Sequence, residues 1–215
     1  MARYNELHKP RTRRRILGAA SRVFRRTGYV GSSIDDVMQQ ADLTKGGFYS
    51  HFRSKRSLFA ITLEHTFERQ RRIWNQTLGS RSGVARIRGL IDLYLSDEHL
   101  VREELACPLP CLLSEVRRSG PAAQEEVARF IAWMIDAIVE TLQADPDVDV
   151  QEAELRQVAT LIATSAIGAV TAGRACPHEY ATEQIFGPIR RRCHRLLDSL
   201  LADAPTRSHT NASRS

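Results

Sequence analysis

The sequence predicts an all-α chain of about nine helices. It reads as a three-helix, helix-turn-helix N-terminal domain followed by a larger helical body. Three observations carry this. Apolar residues recur at helical spacing along the whole chain, and no stretch alternates with period two. Four helices crowd into about 60 residues, the middle two very short. The charge divides the chain: residues 1–56 hold 13 Lys and Arg against 4 Asp and Glu, a net +9, whereas residues 57–215 net −3.

The elements follow in order. Residues 1–10 are polar and expected to be loose. Ile16, Ala19, Ala20, Val23, Phe24 and Thr27 line one helical face, and Gly28 supplies a stop. Ser33 is an N-cap with Asp36 as its capping-box partner, and Ile34, Val37, Met38 and Ala41 face inward. Thr44 caps a short third helix to about Ser50. Ser54 caps a fourth that carries Leu58, Phe59, Leu63 and Phe67 toward Trp74. Amphipathic segments follow near 83–97, 101–118, 121–144, 150–173 and 179–203. Breaks at Gly79-Ser80, Ser119-Gly120-Pro121, Asp145-Pro146-Asp147 and Cys176-Pro177 separate them. This gives an N-terminal domain over 1–55, a body over 56–203 and a disordered tail over 204–215.

Composition narrows the function. The 215 residues are 42% hydrophobic and 26% charged, which excludes wholesale disorder and collagen. Four cysteines are too few for a secreted disulfide framework, so the reducing cytoplasm is the expected compartment. The longest uncharged stretch, Gln157 to Gly173, is short and diluted by hydroxyl residues, so no membrane span is expected. Arg13-Arg14-Arg15 faintly imitates an export signal, but Arg22, Arg25 and Arg26 interrupt the apolar run such a signal needs. A basic head on an acidic body fits a polyanion partner for the head, or a solvated basic tail.

The segment Thr44-Lys45-Gly46-Gly47-Phe48-Tyr49-Ser50-His51-Phe52-Arg53-Ser54-Lys55 is the most informative. A helix N-terminus presents free N–H groups and a positive dipole end, which suit phosphate. Gly46 and Gly47 permit close backbone approach to a bulky partner. Tyr49 and His51 can donate to phosphate oxygens, and Lys55 adds charge at the next helix start. Phe48 and Phe52 are expected to pack onto Phe24 and Val37, leaving Lys45 and Tyr49 outward.

These residues resemble the DNA-binding domain of the TetR/AcrR family of bacterial transcriptional regulators. The match runs over residues 12–59: Arg15-Ile16-Leu17, Ala19-Ala20, Phe24, Gly28-Tyr29, Ser32-Ser33-Ile34-Asp35-Asp36-Val37, Thr44–Phe52, Lys55 and Leu58-Phe59. One departure stands out. The family usually has Gly in the turn where this chain has Asp42, which tolerates a left-handed conformation at small cost. The resemblance implies an operator in double-stranded DNA. Thr44, Lys45, Gly46, Tyr49 and His51 would then form or flank the recognition helix, with Lys45 reaching a base edge. Ser33, Tyr49, His51 and Lys55 would anchor phosphates, and Arg11, Arg13 and Arg14 would reach flanking backbone or minor groove.

The resemblance also implies a homodimer through the last two long helices, 150–173 and 179–203. The first is rich in small residues. The second carries Phe186, Ile189, Cys193, Leu196, Leu197, Leu200 and Leu201 on one stripe. A small-molecule effector would bind among the middle helices, and Phe67, Trp74, Tyr94, Phe130, Trp133 and Met134 are candidate walls or simply core. Cys107 offers an alternative. Pro108 at a first helical position would place Cys107 at an N-cap, where a thiol's pKa falls. Its Cys-x₇-Glu-Val setting is similar to that of family repressors that respond to electrophiles or oxidants. Cys111 would resolve the oxidised thiol and Arg174 would stabilise a thiolate. Cys176, His178, Cys193 and His194 lack structural-zinc spacing, so no metal is expected, and no cofactor. No Gly-rich phosphate loop or nucleophile elbow is present. An enzyme would have to use Cys107 as nucleophile with His99, so the chain is read as non-enzymatic.

Overall fold

Ile16, Ala19, Ala20, Val23 and Phe24 are fully buried on one face of α1, which spans Ala2–Thr27. The computed structural model describes residues 2–77, 79, 81–101 and 107–202; among them every regular element is helical. The expected 204–215 tail lies outside the described residues. The loose N-terminus is corrected: α1 begins at Ala2 and passes through Pro10. Ala2, Arg3, Glu6 and Leu7 are good helix formers, which favours helix on the N-terminal side of the proline.

α1 stops at Gly28, whose φ of 73° only glycine adopts without strain. α2 (Ile34–Gln40) begins with the expected capping box: the Ser33 hydroxyl accepts from Asp36 N–H, and the Asp36 carboxylate accepts from Ser33 N–H. A turn then leads to the short helix Lys45–Ser50, and Asp42 sits in that turn at φ 47°. It is the only described non-glycine residue with positive φ. Arg15 donates to its carboxylate at 2.9 Å and so supports the turn from α1. Lys45–Ser50 is a 3₁₀ helix rather than an α-helix, and Thr44 stands at its N-cap without the expected side-chain bond. Two consecutive glycines in six residues give α-helix little to propagate.

α3 (Lys55–Gln76) is capped as expected by Ser54, whose hydroxyl accepts from Ser57 N–H. α4 (Gly83–Tyr94) and α5 (Asp97–Val101) divide the segment expected as one, because Ser96 caps α5 by accepting from His99 N–H. α6 (Leu109–Ser119), α7 (Pro121–Gln143) and α8 (Glu152–Gly173) follow. The final helical stretch runs as α9 (His178–Tyr180), a π-helical turn (Ala181–Phe186) and α10 (Gly187–Ala202). Pro188 has no N–H to donate back, and the wider turn falls just before it.

The side chains gather into two cores. The first joins α1, α2, the 3₁₀ helix and α3 to α6 and the first half of α7. Phe24 and Tyr29 both meet the Phe59 ring, at 5.0 and 4.9 Å, and Phe67 stacks on Phe130 at 4.1 Å. The second core joins α4, the end of α7, α8 and α10. α8 is long and apolar enough to cross a membrane, but half of its most apolar window is packed inside this core.

A polar tie from α6 of the body reaches the turn after α1 in the head. The Glu115 carboxylate on α6 accepts from Val30 N–H at 2.8 Å, in the turn after α1. A Cβ on Gly28 would lie 3.3 Å from the same carboxylate oxygen. We therefore expect Gly28→Ala to lower stability by about 1–2 kcal/mol, from left-handed backbone strain, in urea unfolding. An unchanged midpoint would contradict this placement.

Candidate nucleic-acid interface and body cavities

The short helix is amphipathic over about two 3₁₀ turns. Phe48 is fully buried and Phe52 nearly so, in the same core as Phe24 and Val37. The opposite face is open: Tyr49 is 65% exposed, and Thr44, Lys45, Gly46 and Ser50 are exposed beside it. A Cβ on Gly46 would meet nothing within 4 Å among the described residues, so none of those neighbours requires glycine there. The freedom is useful only to something approaching from outside.

The expected contacts divide into two groups. Arg11, Arg14, Thr44, Gly46 and Tyr49 are exposed, and so are Ser33 and Lys45, although Ser33 is engaged in the α2 capping box and Lys45 with Asp35. Arg13, His51 and Lys55 serve the fold as well. Arg13 donates to the His51 carbonyl at 2.7 Å and lies 4.4 Å over the Phe52 ring. It thereby fastens the end of the short helix to α1. His51 is half-buried at the helix C-cap. The Lys55 ammonium donates to the Ser32 carbonyl and lies 4.7 Å over the Tyr29 ring. Partial burial holds its pKa below the usual lysine range. An ammonium has three N–H groups, so this contact leaves donors for a phosphate.

One partner was not legible in the sequence. Lys45 Nζ donates to Asp35 on α2 at 2.7 Å, and this hydrogen bond raises its pKa. The two are ten residues apart across a turn, a spacing with no local signature. The pair is exposed, so its net contribution is small. It holds Lys45 on the α2 side of the face.

In the body, the structure separates the six candidate walls. Trp74, Tyr94 and Met134 line a small apolar cavity of about 30 Å³ between α3, α4, α7 and α8, with Ile87, Leu90, Ile91, Ile138, Ile162, Ala163 and Ala166. Phe67 and Phe130 do not line it: they are stacked and fully buried in the first core. Trp133 packs beside this pair, stacked on Phe130 and edge-on to Trp74 at 5.8 Å. A second space of about 480 Å³ lies between the end of α1, α6 and the end of α8, lined by Arg25, Cys111, Arg174, Cys176 and His178 among others.

The cysteine expectation requires correction. Pro108 itself is the N-cap of α6, so Cys107 lies one residue outside the helix. It is 1% exposed, and burial pushes its thiol pKa up rather than down. The imidazole Nε2 of His99 accepts from the Cys107 backbone N–H at 2.9 Å, which is no nucleophile–base geometry. Burial also lowers the His99 pKa to about 4. Arg174 does meet a cysteine, but its Nη1 contacts Sγ of Cys111, which is partly exposed. Among the described residues no three His, Cys, Asp or Glu side chains gather as a metal site: Cys176 and His178 line the larger cleft, and Cys193 is buried in α10.

With this geometry in view, comparison with known proteins gives one answer. Residues 16–60 match the model of the bacterial regulatory proteins of the tetR family. An uncharacterized HTH-type transcriptional regulator of Lactococcus lactis is 26% identical over 135 residues, 62% of this chain and 69% of that one. The HTH-type transcriptional repressor DhaR of a Mycobacterium species is 33% identical over 70 residues, 33% of this chain and 35% of its own. A TetR transcriptional regulator from Chloroflexus aurantiacus superposes with TM-score 0.69 at 25% identity, over 91% of this chain and 96% of that one. Reduced NemR of E. coli shares the fold with TM-score 0.73 at 16% identity, over 91% and 98%. Residues 16–60 are thus a domain of the tetR type, and the chain shares the fold of TetR-family regulators over most of its length.

His99 gives a test of the body. An imidazole whose folded pKa lies below the unfolded value must release its proton to fold. Its contribution is full above about pH 6.5 and is lost as pH falls toward about 4. Thermal unfolding should lose stability across that window, and His99→Gln should flatten the loss. An equally steep fall in the variant would remove His99 as its source.

Proposed function

We propose that this regulator is a repressor. It binds a near-palindromic operator as a homodimer, and a small-molecule effector in the body releases it. The carrying observation is the exposed Thr44–Ser50 face, with Phe48 and Phe52 anchored behind it. Lys45 leaves Asp35 for a base edge, Tyr49 donates to a phosphate, and Ser33, His51 and Lys55 hold the backbone on either side. Arg11 and Arg14 extend the contact along α1. The N-terminal domain, residues 1–55, is a DNA-reading module, and residues 56–203 sense and dimerise.

The unsatisfied faces of α8 and α10 support the dimer. On α8, Leu161 is 52% exposed, and Thr164 and Gly168 continue the same stripe. Among the described residues nothing comes within 4 Å of a Cβ on Gly168, which leaves room for another helix at close range. Phe186 of the π-helical turn and Cys193, Leu197 and Leu200 of α10 are buried within the chain, while Ile189, Leu196 and Leu201 are only partly covered.

The effector reading rests on the Trp74–Tyr94–Met134 cavity. Its present volume holds about one water. A larger apolar ligand must therefore part α4 from α7 and α8. α7 packs on α3 and α6, and α6 carries Glu115 to the head. Displacing α6 breaks that hydrogen bond and changes the spacing of the two heads, a population shift between dimer states. A second reading, release by thiol modification, is favoured by one observation, the Arg174–Cys111 contact. It assigns the sensing thiol to Cys111 rather than Cys107.

Lys45→Ala or Tyr49→Ala should weaken binding to the protein's own upstream DNA about 5- to 100-fold, as expected when about 1–3 kcal/mol of contact is lost. Circular dichroism should be unchanged. Full binding by both variants at physiological salt overturns the DNA-reading face. Leu161→Glu should convert the dimer to a monomer in light scattering; a retained dimer places the interface elsewhere.

A further inference from the structure

The cleft between α1, α6 and α8 is unlike the apolar cavity in chemistry. Arg25 enters it from the last turn of α1, Arg174 from the C-cap of α8 and His178 from the first turn of α9. Two guanidinium groups thus face one space from opposite elements. Arg174 is the telling member. Its Nη1 meets a thiol, a weak acceptor, while its Nε and Nη2 are buried with no hydrogen-bond partner among the described residues. A buried cation without full pairing is costly, and a guanidinium fork is shaped for a carboxylate or phosphate. Burial lowers the Arg25 pKa, and the like charges of Arg69 and Arg174 add to that lowering.

We propose that this cleft is a binding site for a small organic or inorganic oxyanion, a carboxylate or a phosphate, held between Arg174 and Arg25. About 480 Å³ accommodates a ligand with a body as well as a charged head. Leu100, Pro110 and Thr171 supply the less polar wall for that body. The anion completes the hydrogen bonding of Arg174 and joins α1 of the head to α6 and α8 of the body. The site is separate from the apolar cavity and does not depend on the repressor reading.

The test uses the full chain at constant ionic strength, with chloride as the balancing ion. Benzoate and inorganic phosphate are the probes, and benzamide is the neutral control. Calorimetry should show binding of benzoate or phosphate and none of benzamide. Arg174→Gln and Arg25→Gln should each weaken that binding at least tenfold, whereas Arg72→Gln, on α3 outside the cleft, should not. Whichever of the two anions binds identifies the headgroup class. A measurement on the unaltered chain guards against misfolded variants. Saturating anion should slow iodoacetamide alkylation of Cys111, which lines the cleft, as read by peptide mass spectrometry. The proposal fails if neither anion binds, if binding survives both cleft substitutions in folded protein, or if Cys111 alkylation is unaffected by bound anion.

Discussion

The short helix Lys45–Ser50 cannot hold itself together. Six residues with two glycines are far below the length at which a helix is stable in water. Its shape comes from Phe48 and Phe52, buried on the core that α1, α2 and α3 share. Every functional consequence follows from that anchorage. With the two rings fixed, Lys45 and Tyr49 have one direction left, and it is outward. Arg13 secures the far end by bonding the His51 carbonyl, and Arg15 secures the near end through Asp42. Of the arginines expected at DNA, Arg13 thus also fastens the short helix, while Arg11 and Arg14 stay exposed.

The head is not an isolated module. Its core runs without a break into α6 and α7, where Phe67 stacks on Phe130. Glu115 adds a directional contact to the turn after α1. A change at the N-terminal end of α6 is therefore felt at its other end, against the head. Both spaces in the body bear on this helix. The apolar cavity reaches it through α7, and the basic cleft touches it at Pro110 and Cys111.

The head was largely legible in the sequence because its signals are local. The Ser33–Asp36 box, the Ser54 cap and the Gly28 stop each lie within a few residues of the backbone they organise. The match to a family with fixed spacing did the rest. Asp42 was read as a left-handed turn residue, and it is one. The body was legible only in outline. The pairings of Glu115 with Val30 and of Arg174 with Cys111 join residues 85 and 63 positions apart, and no periodicity marks them. Cys107 was misjudged because proline at 108 fits a first helical position and a cap equally well. The depth that raises its pKa is a property of the assembled core.

The central claim is that the outward face of this one short helix reads DNA in the major groove. Footprinting the purified protein on its upstream DNA, with excess competitor at physiological salt, tests it most directly. The account predicts two protected half-sites about one helical turn apart, or a multiple of that, with guanine N7 shielded from methylation in each. Protection with no shielded major-groove positions, or no protection above the competitor level, would contradict it.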